Sequence, residues 1–513
     1  MNQPAHTSTA GAHDEALPAT EKQINAVYLG LVIMIGLGAL DQSIVATALP
    51  RIVGDLGGIT HLSWVVTAYV LASTATMPLY GKLSDQYGRK PLLYTAIVTF
   101  LLGSVLCGLA QNMTELIVFR AIQGLGAGGF LPLAQIVIGD LVPPAERGKR
   151  QGSIGAVFAA TSVVGPVLGG VLTDWLSWHW IFYVNLPVGA VALYVIARSM
   201  QHRAPTHAHK IDYLGSALMT SAVTAGLLVL ALGGTEWPWD SDQVKYLSVL
   251  AVVLAAALLF HVRRVPEPVL PPDLFRNRVF NIASAVLALT FMGMMGSSVF
   301  FPLLFQMVMG VSPAHSGLLT MPMMAGLVIS STLNGRVLGK SGRYKPAQVV
   351  GLSMATLSFA VLAWGIGAAA GYGVIEPAIF VLGAGMGLVM PNMTIAMQNA
   401  LPAARRGVGT AMLAFFRSLG GLIGVTGSGA IVAHQLQAHG AAMPVMGEGA
   451  THQLGALALQ AQAATSEIYR HAIANIFATG TVMVGLALLV LLFLPELPIA
   501  PHPGAKKPAK DQA

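Results

Sequence analysis

The sequence predicts an all-helical membrane protein of fourteen transmembrane helices: two six-helix halves arranged as parallel repeats, with a helix pair inserted between them. Three observations predict it: a composition too apolar for a water-facing surface, fourteen apolar runs of spanning length, and an internal repeat at about half the chain length. Of 513 residues, 55% are hydrophobic and only 10% charged, against about 25% charged in soluble domains. So little charge cannot cover a soluble protein of this size, so lipid must solvate most of the surface. The lone cysteine, Cys107, lies in an apolar run and excludes both a disulfide framework and a cysteine-based metal site. His207 and His209 are spaced like a metal pair but read better as a solvated loop.

Residues 1–23 are polar and carry Asp14, Glu15, Glu21 and Lys22, so they read as a tail and not as a cleavable leader. Apolar runs then follow near 25–49, 62–80, 91–110, 114–139, 152–173, 180–199, 213–233, 245–262, 279–309, 315–337, 347–369, 375–397, 408–434 and 472–494. At 1.5 Å per residue each covers, or nearly covers, a hydrocarbon core of ~30 Å. An even number puts both termini on one side. Of the 28 Lys and Arg, 23 fall in the tails and alternate loops of that side, while Arg51, Lys245 and Arg470 face the other. The positive-inside rule makes the termini cytoplasmic. The same scatter excludes a nucleic-acid partner, because the net charge of +7 is spread over short segments at a membrane face and forms no stripe.

Self-comparison divides the chain. Gly81, Lys82, Gly88 and Arg89 recur as Gly335, Arg336, Gly342 and Arg343 at an offset of 254. Gly124, Gly126, Gly128 and Pro132 recur as Gly383, Gly385, Gly387 and Pro391, and Pro143, Ala145, Arg147 and Gly148 as Pro402, Ala404, Arg406 and Gly407, all at 259. Both copies of each loop lie on one face, so the halves, 24–200 and 278–494, are parallel repeats. The segment 201–277 carries the inserted pair, 435–470 is an outer loop with a helix-compatible stretch near 453–465, and 495–513 is a cytoplasmic tail. Parallel halves about a mid-membrane site are the architecture of alternating-access transporters.

Three ionisable residues lie deep in the spans: Asp41, Arg120 and Arg417. Each costs ~2.5–3.5 kcal/mol on insertion scales, which marks it as a functional candidate. Asp41 and Arg120 sit ~12 and ~9 Å from the outer ends of their helices, so they share a depth and can pair if those helices adjoin. Pairing and separation would then set the proton affinity of the aspartate; the alternative is a permanent ion pair that only locks two helices. Arg417 reads either as a contact for a carboxylate-bearing substrate or as a donor satisfied by backbone carbonyls. Gly81 and Gly88 permit a tight loop in which Asp85 and Arg89 latch the halves on the cytoplasmic face, one-sidedly, since Gly339 stands where a second Asp85 would be. Pro166 and the glycines of GPVLGG read either as a break in their helix that seals an access route or as ordinary small-residue packing between helices. Fourteen of 23 methionines fall between 292 and 412, and Met292, Met295, Met324 and Met390 are candidates for an adaptable substrate cavity.

These motifs resemble the major facilitator superfamily over residues 25–494, and specifically its branch of fourteen-helix drug:proton antiporters. LDQSIVATALP (40–50) resembles that branch's first-helix signature with Asp41 as its acidic member, and GKLSDQYGRK (81–90) the loop signature, with Gln86 in place of a second basic residue. Arg120 with GLGAGG resembles the fourth-helix signature. Gly152, Gly165, Pro166, Gly169 and Gly170 resemble the antiporter signature, with Thr161 where a further glycine is usual. The resemblance implies proton-coupled efflux of hydrophobic or amphipathic small molecules from a bacterial inner membrane, by a monomer without cofactor. Export of one specific lipid, siderophore or metabolite is the alternative on the same fold, and a periplasmic adaptor is left open as a partner. An enzyme would need His, Cys or paired carboxylates converging in the bilayer, and the spans offer none.

Overall fold

The computed structural model describes residues 20–57, 62–142, 144–200, 212–234, 237–298, 300–311, 313–402, 405–438 and 456–497. His207 and His209 lie outside them. The first half comprises α1 (Glu21–Leu56), α2 (Leu62–Tyr87), α3 (Arg89–Gly108), α4 (Met113–Ala127), α5 (Phe130–Leu141), α6 (Pro144–Trp175), α7 (Trp180–Tyr183) and α8 (Asn185–Ser199). The inserted pair is α9 (Tyr213–Leu232) and α10 (Asp242–Val262). The second half comprises α11 (Arg278–Ser298), the short α12 (Phe301–Leu303), α13 (Pro313–Ser341), α14 (Lys345–Gly367), α15 (Tyr372–Ala400), α16 (Arg406–Ala438) and α17 (Ala456–Leu492).

All fourteen apolar runs are helical. Among the described residues, twelve helices are long and apolar enough to cross a membrane, so that criterion does not carry the expected count of fourteen. The two runs it leaves out are those of α2 and α6, which hold Ser, Thr, Gly and charged residues at the seams of the bundle. The helix-compatible stretch near 453–465 is helical from Ala456 and runs on into the last helix. One further expectation is corrected. The helix carrying GPVLGG is not broken, since α6 runs through Pro166 to Trp175.

The two halves pack alike. In the first, α1 packs on α6 and α8, α4 on α2 and α3; in the second, α11 packs on α16 and α17, α15 on α13 and α14. The repeat extends to individual hydrogen bonds. Lys90 Nζ donates to the carbonyls of Ala197 and Met200 at the end of α8 (3.0 and 2.5 Å), and Lys345 Nζ to Leu492 and Leu494 at the end of α17 (2.9 and 2.8 Å). Arg147 donates to the carbonyls of Gly139 and Val142, and Arg406 to those of Gln398 and Leu401, each partner again 259 residues later. Both pairs satisfy helix-terminal carbonyls with cations, as the helix dipole favours. Gly88 and Gly342, equivalent in the two loops, have φ of 88° and 64°, a region that only glycine enters freely.

Glycines set the helix spacing. A Cβ on Gly124 or Gly128 would strike the backbone of α2, and one on Gly126 the backbone of α3; Gly383, Gly387 and Gly385 meet α13 and α14 in the same way. Across the molecule α2 packs on α16 and α6 on α13, and these contacts join the halves. The inserted pair lies outside the first of these seams, with α9 against both α2 and α16 and the Thr426 hydroxyl donating to the Leu230 carbonyl at 3.2 Å.

Candidate functional site

The packing of α1 on α8, and of α3 on α4 and α8, surrounds the Asp41–Arg120 pair. Gly103 allows α3 to lie against Gln123 of α4, where a Cβ would come within 2.5 Å of the backbone. Arg120 Nη1 donates to Asp41 Oδ2 at 2.6 Å, and both residues are 1% exposed or less. Three polar residues that the sequence reading did not single out complete the cluster. Gln123 Nε2 and Asn185 Nδ2 each donate to Asp41 Oδ1 at 2.8 Å, and both amides also donate to the Ser104 hydroxyl. Gln123 Oε1 accepts from Arg120 Nη1 at 2.5 Å, and Arg120 Nε donates to the Val65 carbonyl at 3.2 Å. The guanidinium lies 4.3 Å from the centre of the Tyr69 ring. The signal available in the sequence was spacing: Gln123 lies one turn beyond Arg120 on one helix face, and Ser104 and Asn185 are polar residues inside or at the start of apolar runs.

This arrangement satisfies a buried carboxylate with one cation and two amides, which offsets the cost of keeping both charges out of water. Loss of any one donor would leave a buried carboxylate less well satisfied.

A second cluster joins the halves at the end that carries the repeated loops. Asp85 accepts from Arg89 Nη1 at 2.6 Å through Oδ1 and from the Val408 backbone amide at 2.9 Å through Oδ2. Val408 lies in the first turn of α16, so Asp85 satisfies an otherwise unpaired amide of the opposite half with a favourable charge. Arg89 also donates to Ser84 and to Asp140 (2.8 and 2.9 Å). Burial pushes the Asp85 carboxyl above the usual aspartate range, although Arg89 and the Val408 amide draw it down. The fit is tight, since a Cβ on Gly407 would lie 2.0 Å from Asp85 Oδ1 and one on Gly81 would lie 2.3 Å from the Ala411 Cβ. Nearby, Arg147 reaches Gln398 Oε1 at 3.4 Å, and Gln398 Nε2 donates to the Gln135 carbonyl at 3.2 Å.

Gly165 and Gly169 lie in a seam between α1 and α6. A Cβ on Gly165 would strike the Ser43 hydroxyl, and one on Gly169 the Thr47 hydroxyl, while the Ser43 hydroxyl donates to the Thr161 carbonyl at 3.1 Å. Nothing lies within 4 Å of such an atom on Gly170. Gly152 stands in the first half of α6. In the equivalent seam of the second half, Gly420 and Gly424 meet the backbone of Ala288 and Met292 on α11.

Arg417 lies on α16, nine residues beyond Val408, partly exposed, with its guanidinium 5.1 Å from the centre of the Phe291 ring. It makes no hydrogen bond or ion pair to the described residues, so the backbone-carbonyl reading finds no bond here. Among the methionines, Met294, Met323, Met386, Met393, Met397 and Met412 are buried in the core of the second half, whereas Met292, Met295, Met324 and Met390 are partly exposed.

Comparison with known proteins places this geometry. The profile of the Major Facilitator Superfamily matches residues 31–425. The chain is 40% identical over 403 residues to the multidrug transporter protein MdtP of Bacillus subtilis, covering 79% of this chain and 74% of that protein. It is 36% identical over 419 residues to multidrug resistance protein 3 of the same organism, covering 79% and 80%. Among solved structures, the proton:xylose symporter XylE matches with a TM-score of 0.60 at 16% identity over 93% of this chain and 96% of that one, a likeness of fold. Fold, profile and relatives agree: the chain is a multi-pass membrane transporter that belongs to the Major Facilitator Superfamily, in its family of multidrug exporters.

Proposed function

We propose that this transporter expels hydrophobic or amphipathic small molecules in exchange for protons. The observation that carries the proposal is the buried Asp41–Arg120 pair, held among α1, α3, α4 and α8 of the first half. In the cycle, all fourteen helices cross the inner membrane with both termini cytoplasmic, and the halves rock about the seams α2/α16 and α6/α13. With the Asp85 latch closed, the interior opens outward. Separation of Asp41 from Arg120 lets Asp41 take a proton from the outside, and restored pairing expels that proton toward the cytoplasm. No cofactor takes part, a monomer suffices, and a periplasmic adaptor is not required by the cycle itself. One proton entering across ~100 mV supplies ~2.3 kcal/mol. Half a pH unit adds ~0.7 kcal/mol, so one proton sustains roughly a hundredfold gradient of a neutral compound.

The test is reconstitution in vesicles with an imposed pH gradient, following uptake of a lipophilic dye by wild type and by Asp41→Asn. Wild type accumulates the dye and the variant loses gradient-driven uptake while inserting normally. Undiminished driven uptake by Asp41→Asn would remove the proposal.

A further inference from the structure

The interior of the bundle holds one more charge, and the proton cycle leaves it unused. Arg417 and Thr426 lie nine residues apart on α16, which is about two and a half helical turns, so they occupy opposite faces. Thr426 bonds to α9 on the outside of the bundle; Arg417 therefore points inward, between α11 and α2. Its neighbours agree: the guanidinium lies over Phe291 of α11, and the adjacent Ser418 hydroxyl lies 3.6 Å from Met77 Sδ of α2. The space it partly faces is thus interior. One turn further along, Gly421 sits against Met295, a flexible thioether one turn from Phe291 on α11.

The repeat sharpens the contrast. At the 254 offset Met295 takes the position of Asp41, so the second half has no acid where the first half carries one. At the 259 offset Arg417 corresponds to Phe158, a ring 41% exposed on α6. A guanidinium that lies over an aromatic ring and makes no hydrogen bond or ion pair to the described residues is a poor lock for helices. It is a good receptor for an anion that brings its own apolar body, since a planar guanidinium receives a carboxylate through two parallel hydrogen bonds.

We propose that Arg417, with Phe291 and Met295, forms the anchoring site for amphipathic organic monocarboxylates within the transport path. This deepens the efflux reading and rests on it for the claim that the interior is the path; the binding itself does not depend on proton coupling. The inside-negative potential also drives such anions outward, which adds to the force from the proton.

Equilibrium binding of 2-naphthoate and its neutral isostere 2-naphthamide tests the site, using the full chain in phosphatidylcholine nanodiscs with no pH gradient. Wild type binds the naphthoate about tenfold more tightly than the amide, as a charge-assisted pair predicts. Arg417→Gln erases that preference by weakening the naphthoate alone, and Arg417→Lys keeps part of it. A second readout needs no variant: naphthoate, and not naphthamide, protects Arg417 from phenylglyoxal in mass-spectrometric mapping. Equal binding of the two probes by wild type, an unprotected Arg417, or a preference that survives Arg417→Gln overturns the proposal. Since no gradient is present, loss of this site and loss of proton coupling are read separately.

Discussion

Asp41 has three donors and is fully buried, and that burial separates two roles a static ion pair could play. A lock and a coupling site make the same contacts but respond differently when both charges are removed. Arg120→Gln leaves a buried carboxylate without its cation and should destabilise the fold by about 3–5 kcal/mol. Asp41→Asn combined with Arg120→Gln removes both charges, so thermal unfolding should recover most of that loss, because neutral amides fit the same network of Gln123, Asn185 and Ser104. The double variant should nonetheless show no gradient-driven transport. Recovery of driven transport together with stability would mark the pair as a lock alone. The pairing partner of Asp41 was legible from matched depth along two helices. Asn185 was not, because its run gives no reason to turn that face toward α1 until α8 is seen packed there.

At the scale of elements, the inserted pair is tied down by Asp212. Its Oδ1 accepts from the Gly215 amide at 2.8 Å, capping α9, and lies 2.6 Å from His261 Nε2 near the end of α10; Oδ2 accepts from the Val269 amide at 3.2 Å. Burial raises the Asp212 carboxyl, but the His261 bond and the two amides outweigh it and hold the group below the usual aspartate range. A depressed carboxyl contributes stability above its unfolded value, about 3.9, and loses it as pH falls through the folded value. Wild type should therefore melt at a higher temperature than Asp212→Asn at neutral pH, and the gap should close as pH drops below about 4. A gap that stays constant down to pH 3 would assign the difference to geometry instead. Elsewhere, helix existence was readable from apolar length, whereas the continuity of α6 through Pro166 was not. A proline removes one hydrogen bond, and tight packing of Gly165 and Gly169 on α1 is compatible with the helix continuing.

For the whole molecule, the seam between α2 and α16 is the part that must open if the halves rock. Gly81 has no room for a side chain, since its Cβ would fall 2.3 Å from the Ala411 Cβ and 2.8 Å from the Gly407 carbonyl. Gly81→Val should wedge this end apart without touching the Asp41 cluster. Spin labels at the exposed Tyr87 and Phe275 should then report a longer distance population by double electron–electron resonance than in the parent protein. An unchanged distribution would show that this contact does not hold the halves together. The latch is one-sided for the reason visible in the repeat: Asp85 reaches α16, and its counterpart Gly339 carries no carboxylate to reach back.

Sequence by itself determined the class of solvent, the two-half plan and the identity of the deep charges, because apolar length, loop charge and a repeated spacing are local properties that survive without contacts. Tertiary structure decided which of those charges is satisfied. Asp41 and Arg120 find each other only when α1 and α4 close around Gln123 and Asn185, and Arg417 lies over the Phe291 ring with no hydrogen bond or ion pair to the described residues. Pairing depends on distance and on what fills the space between helices, and neither is written in a linear order of residues.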